Sequence, residues 1–239
     1  MTYCVSDIHG KFQRFQKMLN KISFSEQDTL YVLGDAIDRG PDGIKIIQYI
    51  MKHPNIILLI GNHEHMMLEF FKYQTANHYI QWAKNGGDVT FNAFMKLSEE
   101  EQNSIINFLT GCLIYVPRLT VNNRVFTLAH AAPSEYTRPL YYKNAFSFDI
   151  QEITWNRSFA QNPMDFFKDC PRILKQNKGN YFIFGHTPVI STPYGKITKH
   201  HQPLISRHNK YIIDIDCGCG HSVGRLGCIC LDNFNTYYI

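Results

Sequence analysis

One arrangement recurs five times along this 239-residue chain and leaves little freedom in how it can fold. A short apolar run ends in a small residue, and a residue able to ligate a metal follows at once. Thr2 to Ser6 precedes Asp7, Leu30 to Gly34 precedes Asp35, and Ile56 to Gly61 precedes Asn62. Val125 to Ala129 precedes His130, and Tyr181 to Gly185 precedes His186. Continuous runs of β-branched and aromatic residues at this length read as buried strands. The small residue lets the backbone turn at the strand end and lets a neighbouring chain approach. Asp7 and Asp35 stand 28 positions apart, and Asp35 and Asn62 stand 27 apart, close to the roughly 30 residues of a βαβ unit. Apolar stripes at helical spacing fill the intervals: Phe12, Phe15, Met18, Leu19 and Ile22, then Ile44, Ile47, Ile50 and Met51 after Pro41, then Met67, Leu68 and Phe71. Ligands of such sheets sit off the carboxyl ends of the strands. The five metal-competent residues are therefore expected to converge on one edge.

The rest of the chain reads as additions to that frame. Residues 65–116 carry aromatic and polar helical segments, with Ser98-x-x-Glu101 as a capping box and Asn85-Gly86-Gly87 as a tight turn. They are expected to form a helical insertion within a single domain spanning 1–239. Residues 133–180 are loop-rich, with Pro133, Pro139, Pro163 and Pro171. Strands resume at Tyr211–Ile215 and Gly227–Leu231, and the Gly-rich stretch between them predicts a hairpin or meander that closes the sheet.

Asp7-x-His9, Asp35, Asn62, His130 and His186 together supply two carboxylates, three imidazoles and one amide. Mixed oxygen and nitrogen donors suit Mn, Fe or Zn better than Ca or Mg. Six such residues exceed the needs of one catalytic ion. They suit two ions that share a carboxylate, an arrangement able to activate water and clamp an in-line displacement at phosphorus. Other classes are excluded or disfavoured. No apolar run approaches the roughly 18 residues of a membrane span, and the first residues carry no secretion-signal pattern. The net charge of +4, with no long Lys/Arg run, is weak support for a nucleic-acid partner. Seven cysteines, an odd number, predict reduced thiols in a cytoplasm.

Asp7-Ile8-His9-Gly10, Gly34-Asp35-Ala36-Ile37-Asp38-Arg39-Gly40 and Gly61-Asn62-His63-Glu64 resemble the signatures of the phosphoprotein phosphatase branch of the metallophosphoesterases. Ala129-His130-Ala131 and Gly185-His186-Thr187-Pro188 are similar to its later histidine motifs, and Asp216-Cys217-Gly218 with Gly224-Arg225-Leu226 to its closing segment. The resemblance implies a calcineurin-like α/β sandwich, two facing mixed β-sheets flanked by helices. It implies that Asp7, His9 and Asp35 hold one metal, and that Asp35, Asn62, His130 and His186 hold the second. Manganese is the expected metal, with iron and zinc as alternatives. His63 would protonate the leaving oxygen, with Asp38 orienting it, because a histidine is a good proton donor near neutral pH and a carboxylate favours its charged form. Arg39, and Arg157 of the Trp155-Asn156-Arg157 segment, would grip phosphoryl oxygens, which a guanidinium fork fits bidentately. The implied reaction is direct in-line attack by a metal-bridging hydroxide.

The compact length resembles the bacterial and phage type, which includes serine/threonine protein phosphatases and symmetrical dinucleoside tetraphosphatases. These share the catalytic residues, so either a phosphoprotein or a dinucleoside polyphosphate is an implied substrate. A non-enzymatic scaffold and a nucleic-acid phosphodiesterase are weaker alternatives. Two cysteine pairs, Cys217-x-Cys219 and Cys228-x-Cys230, could face each other as a zinc site, but they are expected to pack as small apolar residues in a reduced core. His65, His200, His201, His208 and His221 show no ligand spacing and read as packed or solvated. The Trp82 to Phe94 stretch reads as a helix break and packing surface without a ligand role.

Overall fold

The computed structural model describes residues 1–132, 150–158, 180–193, 195–198, 203–207 and 211–239. The first third alternates strand and helix as the spacing predicts: β1 (Thr2–Val5), α1 (Phe12–Lys21), β2 (Thr29–Val32), α2 (Gly43–Met51), β3 (Ile56–Leu58) and α3 (Asn62–Tyr73). Helices α4 (Ala76–Lys84), α5 (Asp88–Phe94) and α6 (Glu99–Thr110) follow, then β4 (Tyr115–Val121), β5 (Arg124–Ala129), α7 (Ile150–Trp155) and β6 (Asn180–Phe184). Short strands complete the chain: β7 (Lys196–Ile197), β8 (Pro203–Leu204), β9 (Ser206–Arg207), β10 (Ile212–Asp214), β11 (Gly227–Cys230) and β12 (Thr236–Tyr238).

Two five-stranded sheets carry the site. The first has the order β12-β11-β1-β2-β3, and the second β4-β5-β6-β10-β9. Each is mixed. The strands β1, β2 and β3 run parallel while β11 and β12 pair antiparallel, and β5, β6 and β10 run parallel between antiparallel β4 and β9. The pleat explains the layering, because alternate residues of a strand face opposite sides. Tyr3 and Val5 of β1 join Leu30, Val32 and Leu58 in a core against Phe15, Met18, Ile47 and Trp82 on the helices. Cys4, Tyr31, Phe126, Leu128, Ile183 and Ile213 fill the core between the sheets. Phe182, Phe184 and Ile212 face the other way and pack with Ile153 of α7. The result is helix, sheet, sheet, helix.

The helical region begins earlier than the apolar stripe suggests. Asn62 is the first residue of α3, and β3 ends at Leu58, so Asn62 stands at a helix start and not at a strand end. The α6 capping box forms as expected: Ser98 Oγ accepts from the Glu101 amide, and the Glu101 carboxylate accepts from the Ser98 amide at 3.0 Å.

The expected hairpin near the end of the chain does not form. Strand β10 pairs in parallel with β6 in the second sheet, whereas β11 pairs antiparallel with β1 in the first. The stretch from Ile215 to Leu226 therefore crosses between sheets, held by a bridge between Gly218 and Arg225. Two apolar runs around a Gly-rich link look the same whether they pair with each other or with separate partners. The cysteine pairs are split accordingly. Cys217 lies in the core between the sheets, and Cys219, Cys228 and Cys230 lie in the helix-side core. All four are buried free thiols, and burial pushes the Cys219 thiol up to about 11. His200, His201, His208 and the prolines of 133–180 lie outside the described residues, while His221 is exposed.

Candidate active site

The loops at the carboxyl ends of β1 and β2 are laced together by their main chains. The amides of Asp7, His9 and Gly10 donate to the carbonyls of Gly34, Asp35 and Ala36 at 3.2, 2.9 and 2.9 Å. Six residues of this region, Asp7, His9, Asp35, Asp38, Arg39 and His186, hold positive φ between 48° and 70°. That conformation costs an L-residue roughly 1–2 kcal/mol, and it persists only where the surroundings over-determine it. Gly34, at φ +84°, is required outright, since a Cβ there would lie 2.6 Å from the Gly61 backbone and 2.7 Å from His130 Nδ1.

Glu64 is the brace of this arrangement. Its buried carboxylate accepts from the amides of Asp35, Ala36, Ile37 and Gly61 at 2.8, 2.8, 3.2 and 3.0 Å. Burial raises its pKa, and those amides pull it back. The sequence reading assigned Glu64 no role. An acid three residues into a helix was the available signal, but its partners on the Asp35 loop lie 27–29 positions earlier.

The structure brings the six metal-competent residues into one buried cluster. His9, Asp35 and His63 place donor atoms within 4.8 Å of one another, and so do Asp35, His130 and His186, with Asp35 common to both groups. Asp7 belongs to neither triad. Its Oδ2 accepts from the Ser6 hydroxyl and, at 3.0 Å, from the His186 amide, while Oδ1 lies 3.9 Å from His9 Nε2. Two backbone carbonyls fix the imidazole tautomers: His9 Nδ1 donates to Ile37 at 3.1 Å and His130 Nδ1 to Leu33 at 2.6 Å. The Nε2 lone pairs then face inward, a common arrangement around a ligating histidine.

These donors fit divalent cations. The His130 Nε2 lone pair meets Asn62 Oδ1 at 3.0 Å and Asp35 Oδ1 at 3.4 Å, so three acceptor atoms converge on one point. Among the described residues, neither ring nitrogen of His186 makes a hydrogen bond of full geometry. Burial drives the imidazoles neutral: His130 falls to about 4, and His9 and His186 fall well below the usual histidine range. Burial, with Asp7 and Glu64 nearby, pushes Asp35 well above the carboxylate range. A bound cation reverses that preference, since it favours the ionised carboxylate.

Beside the cluster sits a second unit. His63 Nδ1 donates to Asp38 Oδ2 at 2.6 Å, and its Nε2 lies 3.3 Å from Arg39 Nη2 and 3.7 Å from Asp35 Oδ2. The Trp82 indole donates to the same Asp38 oxygen at 2.7 Å, and Thr90 Oγ1 accepts from the Asp38 amide at 2.9 Å. The stretch from Trp82 to Phe94 is therefore more than a packing surface: two of its side chains hold Asp38. Local periodicity carries no trace of contacts across 44 and 52 positions. Arg157 stands on the opposite flank, where its Nη1 donates to the His186 carbonyl at 3.2 Å and the Thr187 hydroxyl at 3.3 Å.

The chain is similar to known proteins. The profile of the calcineurin-like phosphoesterases matches residues 2–215. Serine/threonine-protein phosphatase 2 of Escherichia coli strain K12 is 32% identical over 189 residues, covering 77% of this chain and 78% of that protein. An asymmetrical bis(5'-nucleosyl)-tetraphosphatase of Oceanobacillus iheyensis is 25% identical over 232 residues, covering 90% and 82%. A protein serine/threonine phosphatase from Saccharomyces cerevisiae has the same fold, with a TM-score of 0.58 at 15% identity over 100% of this chain and 78% of that one.

Proposed function

We propose, since the chain belongs to the calcineurin-like phosphoesterase family and is a hydrolase of phosphoric ester bonds, that its substrates are phosphoserine and phosphothreonine in proteins. The relative named serine/threonine-protein phosphatase, 32% identical over 77% of the chain, carries this reading, and the Asp38–His63 pair, which either substrate class could use, supplies what it needs. A serine or threonine alkoxide is a poor leaving group and needs a proton as the P–O bond breaks, whereas a nucleotide phosphate leaves more readily. His63 Nδ1 donates to Asp38 at 2.6 Å, which fixes the ring and turns Nε2 toward the position of the leaving oxygen. Arg39 Nη2 stands 3.3 Å from that Nε2, so a phosphoryl group on the Arg39 fork brings its ester oxygen within reach of the acid. Arg157 approaches from the His186 side and would hold a second phosphoryl oxygen.

Asp7, His9 and Asp35 would hold one divalent cation, and Asp35, Asn62, His130 and His186 the other, with manganese suited to the mixed donors. Bound there, the cations supply Lewis acidity that activates water and offsets phosphoryl charge. The 32% identical protein phosphatase supports the substrate class. The six described cysteines, all free, support a reducing compartment such as the cytoplasm.

A dinucleoside tetraphosphate is the second reading, favoured by the tetraphosphatase relative that spans 90% of the chain. A paired assay separates the two. Manganese-loaded protein is given phosphopeptides and diadenosine tetraphosphate, and kcat/KM is compared. A preference of about tenfold for peptides, about 1.4 kcal/mol in transition-state terms, is expected. The reverse preference would replace the protein phosphatase reading with the nucleotide one.

A further inference from the structure

The Asn85-Gly86-Gly87 turn and the tryptophan before it have a steric logic that the metal cluster does not require. Trp82 is fully buried among Phe70, Phe71 and Phe91, with ring centroids at 5.9, 6.2 and 6.3 Å. Its indole N–H points out of this apolar cage at Asp38 Oδ2, 2.7 Å away. Position 87 has to be glycine for the ring to sit there, because a Cβ would come within 2.2 Å of the indole. The neighbouring Gly86 carbonyl accepts the Arg39 amide at 3.0 Å, and Thr90 accepts the Asp38 amide at 2.9 Å. Asp38 and Arg39 both hold positive φ, at 69° and 61°, and the α4–α5 turn is what grips them there.

We propose that Trp82 is a positioning residue for proton donation, acting through Asp38 on His63. The inference rests on the reading of His63 as the acid. Among the described residues, buried Asp38 Oδ1 has no hydrogen-bond partner, so their donors anchor the carboxylate through Oδ2. Oδ2 serves two donors, His63 Nδ1 and Trp82 Nε1. With the indole in place, Oδ2 stays aimed at Nδ1, the imidazole keeps its proton on that nitrogen, and Nε2 stays turned toward Arg39. With the indole donor removed, His63 is the side-chain donor left to the carboxylate among the described residues, and the imidazole gains freedom to leave its working orientation. A misplacement of this kind slows the step that needs the proton and leaves the others intact.

The test compares Trp82→Phe and His63→Asn, both metal-saturated, on a phosphoserine peptide and on p-nitrophenyl phosphate, whose leaving group departs without a proton. For Trp82→Phe the expected result is a loss of roughly tenfold in kcat on the peptide, a part of the 10²–10⁴ that a general acid supplies. KM on the peptide and turnover of p-nitrophenyl phosphate should stay within about twofold, as a positioning effect confined to the proton transfer requires. His63→Asn should show the same selectivity with a larger loss. Selective loss in His63→Asn with equal losses on both substrates, or none, in Trp82→Phe would overturn the role of Trp82 alone. No selectivity in His63→Asn would remove the acid itself, and the inference with it. A second readout does not depend on the Trp82→Phe protein folding well. The chain has two tryptophans, Trp82 and Trp155. The Trp82 indole N–H should resonate downfield in a ¹⁵N-labelled spectrum and move in Asp38→Asn; a Trp82 signal indifferent to that change would refute the coupling.

Discussion

Asp35 faces both donor triads, so it is the residue at which metal content and rate should fall together. Asp35→Asn is expected to lose bound metal, measured by elemental analysis, in step with turnover. A fully metallated and active variant would sink the bridging role. Because burial and two nearby carboxylates raise Asp35, cation binding should drive a proton off it. His130, at about 4, is already neutral at pH 7 and has none to give. Affinity should therefore rise with pH until Asp35 ionises by itself, and calorimetry in buffers of different ionisation enthalpy should show net proton release; zero release would contradict this. Glu64→Gln turns an acceptor of four main-chain amides into a group that also presents N–H donors. The expected cost is about 1–3 kcal/mol, read as a fall in Tm at roughly 2–4 °C per kcal/mol, with loss of activity. An unchanged Tm would show that the Asp35 loop keeps its left-handed turns without the brace. At this scale the sequence was informative where chemistry and strand ends coincide. Asp7, Asp35, His130 and His186 each follow a strand and a small residue. Glu64 and Trp82 were silent because their partners are set by tertiary packing across tens of positions.

Among the elements, those whose signals are local were readable. The β1–α1–β2–α2–β3 alternation shows in its apolar periods, and the α6 cap in Ser98 and Glu101. Ser98→Ala should cost about 1 kcal/mol in chemical denaturation and leave turnover unchanged, since the cap lies in the exposed start of α6. A drop in activity matching the drop in stability would mean that α6 reaches the site through its packing on α2 and α3. The terminal strands depart from the expected hairpin for a different reason. A gap of about a dozen residues is compatible with a hairpin or with a crossing, and the choice was made by β6 and β1, which each offered a free edge. The same limit applies to α4 and α5, whose function resides in what they touch.

At the scale of the molecule, the donor atoms are divided between two sheets that meet through apolar packing and a few hydrogen bonds, His130 to the Leu33 carbonyl and the His186 amide to Asp7 among them. Asp7 and Asp35 follow strands of the first sheet, and His130 and His186 follow strands of the second. A cation held by both halves binds the folded state alone, so it should stabilise by mass action. At a hundredfold excess over Kd, that is about 2.7 kcal/mol, or a rise in Tm of roughly 5–10 °C over chelator-treated protein. A thermal scan showing no rise would mean that the halves are already as firmly joined without it. The position of β1 has a further consequence, one of timing. Its two neighbours are β2 and β11, and Tyr3 pairs with both Leu30 and Cys230. On the ribosome the three loops of the first half-site emerge early, yet β11, the strand that covers the other side of β1, is made more than 200 residues after β1. At about 5–20 residues per second, that edge waits roughly 10–45 s for its partner, open meanwhile to any other strand. Synthesis rate and chaperone supply should therefore govern the yield of soluble protein more than any substitution at the catalytic surface.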